Sequence, residues 1–288
     1  MKIGIFPNVE KNNIEFATRK LIELCQLYQV SYCVPESLRH GKIAELFPFG
    51  TLYIADNHIA ENIELAISLG GDGTVINLAK KLATFHIPVC GINLGTLGFL
   101  NEIELDSLHT QFINLLQHDY FIEKRMMLSS YLEVPEGPII PLPDALNDIV
   151  IGRSNLGKMV RIDLYVNGSF IQQYPADGVI VATPTGSTGY SLSSGGPVMS
   201  PSINCMLVTP ICPHLMQNIP LVFGEEDRIC FTAEHTQNNI KISVDGINEI
   251  NFENNHRLII TKSKETALFL RIKQNYFYET LFTKLLGS

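Results

Sequence analysis

What this 288-residue sequence lacks narrows its chemistry first. Its six cysteines (Cys25, Cys33, Cys90, Cys205, Cys212 and Cys230) include no CxxC pair, and its eight histidines form no HxH or HExxH set. That disfavours a disulfide scaffold, a zinc site and a histidine-built metal centre; the thiols read as reduced and mostly buried, as in a cytoplasmic protein. No apolar run is long enough to cross a bilayer, and the opening MKIGIFPNVEKNN turns polar by Pro7 and Asn8, before a signal peptide's apolar segment could form. Basic residues are in deficit, 21 Lys+Arg against 29 Asp+Glu, for a net charge of −8. A general nucleic-acid surface is therefore not expected, although one nucleotide, whose phosphates need only a few amides and cations, is still allowed. There is no Walker A Gly-Lys-Ser/Thr, no GxGxxG fingerprint and no GxSxG elbow, since Ser187 lies in GSTG. Internal repeats and low-complexity tracts are absent too.

What is present suits two domains. Apolar residues make up 45%, enough for sizeable cores at this length. Strand-like runs (2–6, 30–34, 64–69, 87–92) alternate with helical spacing at 13–29, where Asn13 is placed to cap, and at 74–85 and 106–117. That alternation predicts parallel βαβ units of the doubly wound α/β class over residues 1–122. Beyond 122 the helical period nearly vanishes, and short β-rich runs predict a mainly antiparallel domain over 123–271. Hairpins are expected at Asn167-Gly168 and Asp245-Gly246. The end of the chain, within 272–288, is helical again and is assigned to the first domain.

Four stretches carry chemistry. In 69-LGGDGTVINLAKKL-82 a strand enters glycines and then a helix, which presents free backbone N–H groups to an anion. A carboxylate there, Asp72, would repel phosphate unless it acts as a base toward a hydroxyl or holds a metal. The plainer alternative is a tight βα turn with Asp72 or Thr74 capping the helix, and Lys80-Lys81 on a solvated face. In 91-GINLGTLGFL-100, Phe99 either stacks on a base or joins the core. Asn147 and Asp148 either read nucleotide hydroxyls or build a turn through side-chain-to-backbone bonds. Within 176–201, Thr185, Ser187, Thr188 and Tyr190 offer neutral donors suited to ribose and phosphate. Asp245 reads as a hairpin residue.

Together these residues resemble the NAD kinase family, in order along nearly the whole chain: IGIFPN at 3–8, GGDGT at 70–74, GINLGTLGFL at 91–100, RMML at 125–128, DALND at 144–148 and DGVIVATPTGSTGYSLSSGGP at 177–197. GGDGT alone also occurs in diacylglycerol and sphingosine kinases; the combination with TPTGSTGYSLSSGGP is far more specific. The resemblance implies a Rossmann-like first domain, a β-sandwich-like second one, and assembly as a homodimer or homotetramer. It implies ATP-dependent phosphorylation of the adenosine-ribose 2′-hydroxyl of NAD, with Mg²⁺ accompanying ATP. By the same resemblance Asp72 is the general base, Gly71, Gly73 and Thr74 take the ATP phosphates, and Phe99, Asn147, Asp148, Asp177, Thr185, Thr188, Gly189 and Tyr190 contact NAD. The family usually has Asn-Glu where this chain has Asn147-Asp148, so that carboxylate is one methylene shorter, which implies a water bridge or a modest loss. The competing readings are a lipid kinase, against which stands the lack of a basic or amphipathic membrane-facing stretch, and a nucleotide sensor, in which a carboxylate among the glycines would serve nothing.

Overall fold

Apolar runs too short for helices become strands early in the chain: β1 (Lys2–Pro7), β2 (Ser31–Pro35), β3 (Leu52–Ile54), β4 (Leu65–Leu69), β5 (Val89–Asn93) and the two-residue β6 (Ile103–Glu104). The structure, a computed structural model, describes residues 1–95, 98–154, 159–214, 219–234, 240–274 and 276–286. Its chain divides into two units, Met1–Lys124 with Ala267–Ser288, and Arg125–Thr266. In the first unit the strands lie parallel in the order β3-β2-β1-β4-β5, with Ile3 beside Tyr32, Ile5 beside Ile67 and Ile67 beside Cys90. Every residue of β4 and β5 is buried, as a parallel sheet covered on both faces requires. Between β1 and β4 the strand order reverses, which opens a crevice beyond their C-terminal ends.

Helices α1 (Ile14–Leu27), α2 (Asp72–Ala83) and α3 (Leu108–Leu116) connect these strands. The apolar stripe Ile14, Ala17, Leu21, Leu24 of α1 joins Leu108, Phe112 and Leu115 of α3 in one core with Ile3, Ile5 and Ile67. The cap expected from Asn13 does not form: its backbone is left-handed (φ 63°) and only its carbonyl contributes, accepting from the Ala17 amide at 3.0 Å. Residues 36–62 hold three single 3₁₀ turns and β3, for which the sequence carries no clear period.

The second unit comprises β7 (Phe121–Glu133, from Arg125 onward), β8 (Ile139–Pro141), β9 (Asp148–Arg153), β10 (Val160–Val166), β11 (Ser169–Ala176), β12 (Gly178–Ala182), the one-turn α4 (Tyr190–Ser193), β13 (Cys205–Ile211), β14 (Leu221–Gly224), β15 (Ile229–Glu234), β16 (Ile240–Val244), β17 (Ile247–Phe252) and the first part of β18 (Arg257–Arg271). One antiparallel sheet runs β14-β13-β12-β9-β16-β17 and a second β11-β10-β15-β18. Ile149, Ile151, Val179 and Val181 of the first sheet share a core with Ile162, Leu164, Phe231 and Ile260 of the second, so the two form a sandwich. Both expected hairpins form with positive φ at both turn residues (Asn167 51°, Gly168 84°; Asp245 50°, Gly246 72°).

From Ala267 the end of β18 belongs to the first unit, where Phe269 pairs in parallel with Val89. The C-terminal helix α5 (Tyr276–Leu281) loosens into a π-turn over Phe282–Leu286. Of the stretches singled out above, Thr96, Leu97, Asn275, Gly287 and Ser288 lie outside the described residues.

Candidate active site

At the crevice between β1 and β4 the first unit has a cleft of about 870 Å³, within the range of small-molecule sites. Asn8 and Lys11 line it after β1, and Gly71 to Thr74 line it after β4. The exposed face of α2 adds Asn77 and Lys81 at helical spacing, so Lys81 stands at the cleft rather than on a purely solvated face.

The helix start is bare. Gly71 is the N-cap, with extended backbone (φ −92°, ψ −178°), and no side chain caps α2; neither Asp72 nor Thr74 serves as the cap. The Thr74 hydroxyl instead accepts from Asn8 Nδ2 at 2.8 Å. A Cβ added at Gly71 or Gly73 would meet no protein atom within 4 Å, and neither backbone is left-handed. Nothing within the protein therefore demands glycine at these two positions, and what their missing side chains leave open is the cleft itself. Gly70 differs, since a Cβ there would press within 2.6 Å of Thr74 Oγ1.

The Asp72 carboxylate turns away from its own helix toward residues 98–101. Its Oδ2 accepts from the Phe99 amide (2.8 Å), and its Oδ1 accepts from the Leu100 amide (3.2 Å) and from Asn101 Nδ2 (2.9 Å). A carboxylate has about four acceptor positions, so one remains. Gly98 is required by this contact: a Cβ there would lie 1.9 Å from Asp72 Oδ1. Phe99 is half-buried, its ring 5.9 Å from that of Phe277 and beneath the Lys284 ammonium at 4.9 Å.

The carbonyls of the same loop are held from the other side. Tyr276 donates to Gly98 O (3.1 Å), and Arg271 donates to Phe99 O (3.4 Å) and Leu100 O (3.1 Å). Arg271 is also paired with Glu102 (3.2 Å) and Glu123 (2.7 Å), and Glu102 accepts from the amides of Ile272 and Lys273, both at 2.9 Å. Burial pulls the Arg271 guanidinium down, but Glu123 and Glu102 more than reverse this and leave it above its ordinary value. Burial pushes the Glu102 carboxyl up, and Arg271 and the two amides draw it back. With two carboxylates facing one guanidinium, Arg271 is held in its charged form. Burial also raises the Tyr276 phenol to about 12.

In the second unit Asn147 and Asp148 sit at the entry to β9, and the turn is built by another residue. Asp245 Oδ1 accepts from the amides of Asn147 (2.8 Å) and Asp148 (3.0 Å), and its Oδ2 from Leu146 (2.9 Å). Gly186 packs on this segment so tightly that a Cβ would fall 2.1 Å from Asn147 O. A Cβ at Gly189 would reach within 4.0 Å of both Asn147 Nδ2 and Asp148 Oδ2. Partial burial raises the phenol of Tyr190, with smaller contributions from Cys212, Asp148 and Asp177. The fold thus gathers Asn147, Asp148, Asp177, Gly189 and Tyr190. Asp177 is paired with Arg153 at 2.9 Å. Thr185 faces inward, its hydroxyl accepting from Arg125 at 3.1 Å, and Thr188 donates to Thr185 O at 3.3 Å. Ser187, expected from the sequence to offer a donor, is instead fully buried, donating to Pro184 O at 2.7 Å and accepting from the Met199 amide at 3.0 Å, so its hydroxyl is spent within the protein.

Residues 3–120 match the family profile described as the ATP-NAD kinase N-terminal domain, and residues 146–272 match the ATP-NAD kinase C-terminal domain. The chain belongs to the NAD kinase family. It is 36% identical to an NAD kinase of Moorella thermoacetica over 290 residues, covering 99% of this chain and 89% of that one. It is 35% identical to an NAD kinase of Caldanaerobacter subterraneus subsp. tengcongensis, covering 99% of this chain and 98% of the other. Among solved structures it superposes on a yeast NADH kinase complexed with NADH at a TM-score of 0.87 and 25% identity, over 100% of this chain and 87% of that one. Sequence reasoning missed Asn8, Asn101, Glu102, Arg271 and Tyr276 as neighbours of the site. Their partners lie as far as 178 positions away along the chain, and no local pattern encodes such a distance.

Proposed function

We propose that the chain transfers the γ-phosphoryl group of ATP to the 2′-hydroxyl of the adenosine ribose of NAD, giving NADP. The observation that carries this reading is the uncapped start of α2, where two glycines leave the backbone open to the cleft beside a carboxylate with one acceptor position unused. The donor phosphates lie against the amides of Gly71, Gly73 and Thr74, where the helix dipole favours negative charge. Asp72 takes the hydroxyl proton with its remaining lone pair as that oxygen attacks phosphorus in line. Family membership supports NAD as the acceptor, with contacts assigned to Phe99 in the first unit and to Asn147, Asp148, Asp177, Thr185, Thr188, Gly189 and Tyr190 in the second.

Among the described residues no three His, Cys, Asp or Glu side chains gather to hold a metal. This donor set fits Mg²⁺ carried on the nucleotide, with Asp72 the one carboxylate at the phosphate loop. Such an ion would supply neutralisation of the phosphate charge. The reading includes a homodimer or homotetramer in the cytoplasm, and the six unpaired cysteines accord with a reducing compartment. The test is purified protein with ATP, Mg²⁺ and NAD, followed through an NADP-specific dehydrogenase beside a diacylglycerol control. Catalytic appearance of NADP is expected; ATP consumed only with the lipid would reject the assignment.

A further inference from the structure

We infer that Arg271, Glu102 and Tyr276 are positioning residues for the phosphoryl transfer, acting through the backbone of residues 98–102 on the Asp72 carboxylate. This rests on the reading of Asp72 as the base. The loop is held on both sides. Its amides at Phe99 and Leu100 point to Asp72, while its carbonyls at Gly98, Phe99 and Leu100 are taken by Tyr276 and Arg271. A peptide unit whose carbonyl is anchored cannot rotate its own amide away, so the C-terminal segment sets where the two amide donors of Phe99 and Leu100 stand. Asp72 follows them, because Gly98 lets the loop lie against the carboxylate with no room to spare.

Stability alone gives little reason for this arrangement. A guanidinium with a 3% exposed side chain, facing a Glu102 side chain exposed by 1%, loses hydration that the pairing only just returns. Well-packed apolar residues would hold the segment as firmly, since Arg271 already packs against the rings of Phe269 (5.4 Å) and Tyr276 (5.5 Å). What an apolar side chain cannot do is donate at once to two successive carbonyls and two carboxylates, which the planar guanidinium does. The buried ion group therefore fixes geometry, and the geometry it fixes is that of the donors to Asp72.

The decisive variant is Tyr276→Phe, which keeps the ring and deletes only the hydroxyl donated to Gly98 O. It is measured alone and combined with Asp72→Asn, well below the melting temperature, with kcat expressed per folded enzyme. Alone it should lower kcat by about three- to tenfold, the scale of one hydrogen bond. In the Asp72→Asn background it should lower kcat no further, because residues acting as one unit are not additive. Arg271→Lys, which keeps the charge and loses the fork, should give a larger loss with the same non-additivity. Unchanged kcat in Tyr276→Phe, or an equal loss in both backgrounds, would overturn the inference while leaving Asp72 as the base. Full kcat in Asp72→Asn by itself would instead remove the base assignment, and this inference with it.

Discussion

Asp72 has only two side-chain torsions, and three donors hold both of its oxygens, so its remaining lone pair has a defined direction. Replacing it with asparagine turns an NH2 group toward one of those donors, so the loop loosens as the carboxylate is lost. We expect Asp72→Asn to lower kcat by about a hundredfold or more, the scale of a lost general base. Tyr276 supplies a titration. Its folded value lies above the ordinary 10.0, at about 12, because burial disfavours the phenolate. The folded protein thus keeps a proton that the unfolded chain releases. The stability this contributes is complete below pH 10.0 and lost as pH rises toward about 12. Denaturant midpoints should fall as pH rises across that window in the parent protein, and fall less in Tyr276→Phe.

At the level of α2, Gly73→Ala separates stability from activity by sign. The helix gains about half a kcal/mol or more from the lost backbone freedom of the unfolded chain, and the new methyl meets no protein atom within 4 Å. The melting temperature should therefore hold or rise, while KM for ATP rises and kcat falls because the methyl stands where phosphate approaches. A variant that keeps parental kinetics would move the donor phosphates elsewhere. Gly98→Ala makes the contrast, since its methyl would collide with Asp72 within the protein itself. In the second unit, the segment 146–148 depends on the β16–β17 hairpin through Asp245. As a hairpin residue Asp245 was legible in Asp-Gly between two strand-like runs; its carboxylate's grip on three amides nearly a hundred positions away was not.

For the whole molecule, all six cysteines are unpaired, and only Cys212 is exposed. One thiol should react quickly with a disulfide reagent in the native protein and six after denaturation. Chelation of divalent cations should abolish turnover without lowering the melting temperature, since among the described residues no protein cluster holds a metal that the fold would need.

The amino-acid sequence by itself determined the elements and their class. Helical spacing against short apolar runs distinguished the parallel α/β half from the β-rich half, and Asn167-Gly168 and Asp245-Gly246 marked their hairpins, because all of these are consequences of neighbours along the chain. The same local rules left open whether Asp72 caps its helix. Tertiary structure alone decided that it does not, and directed its carboxylate to an amide pair 27 and 28 positions away. It also decided that Ser187 faces inward, that Asn13 caps nothing with its side chain, and that Gly71 and Gly73 face open space while Gly70 and Gly98 face side chains. The physical reason is common to all of these. A side chain's chemistry is carried by its own residue, but the partner that orients it is chosen by which segments the sheet order brings together.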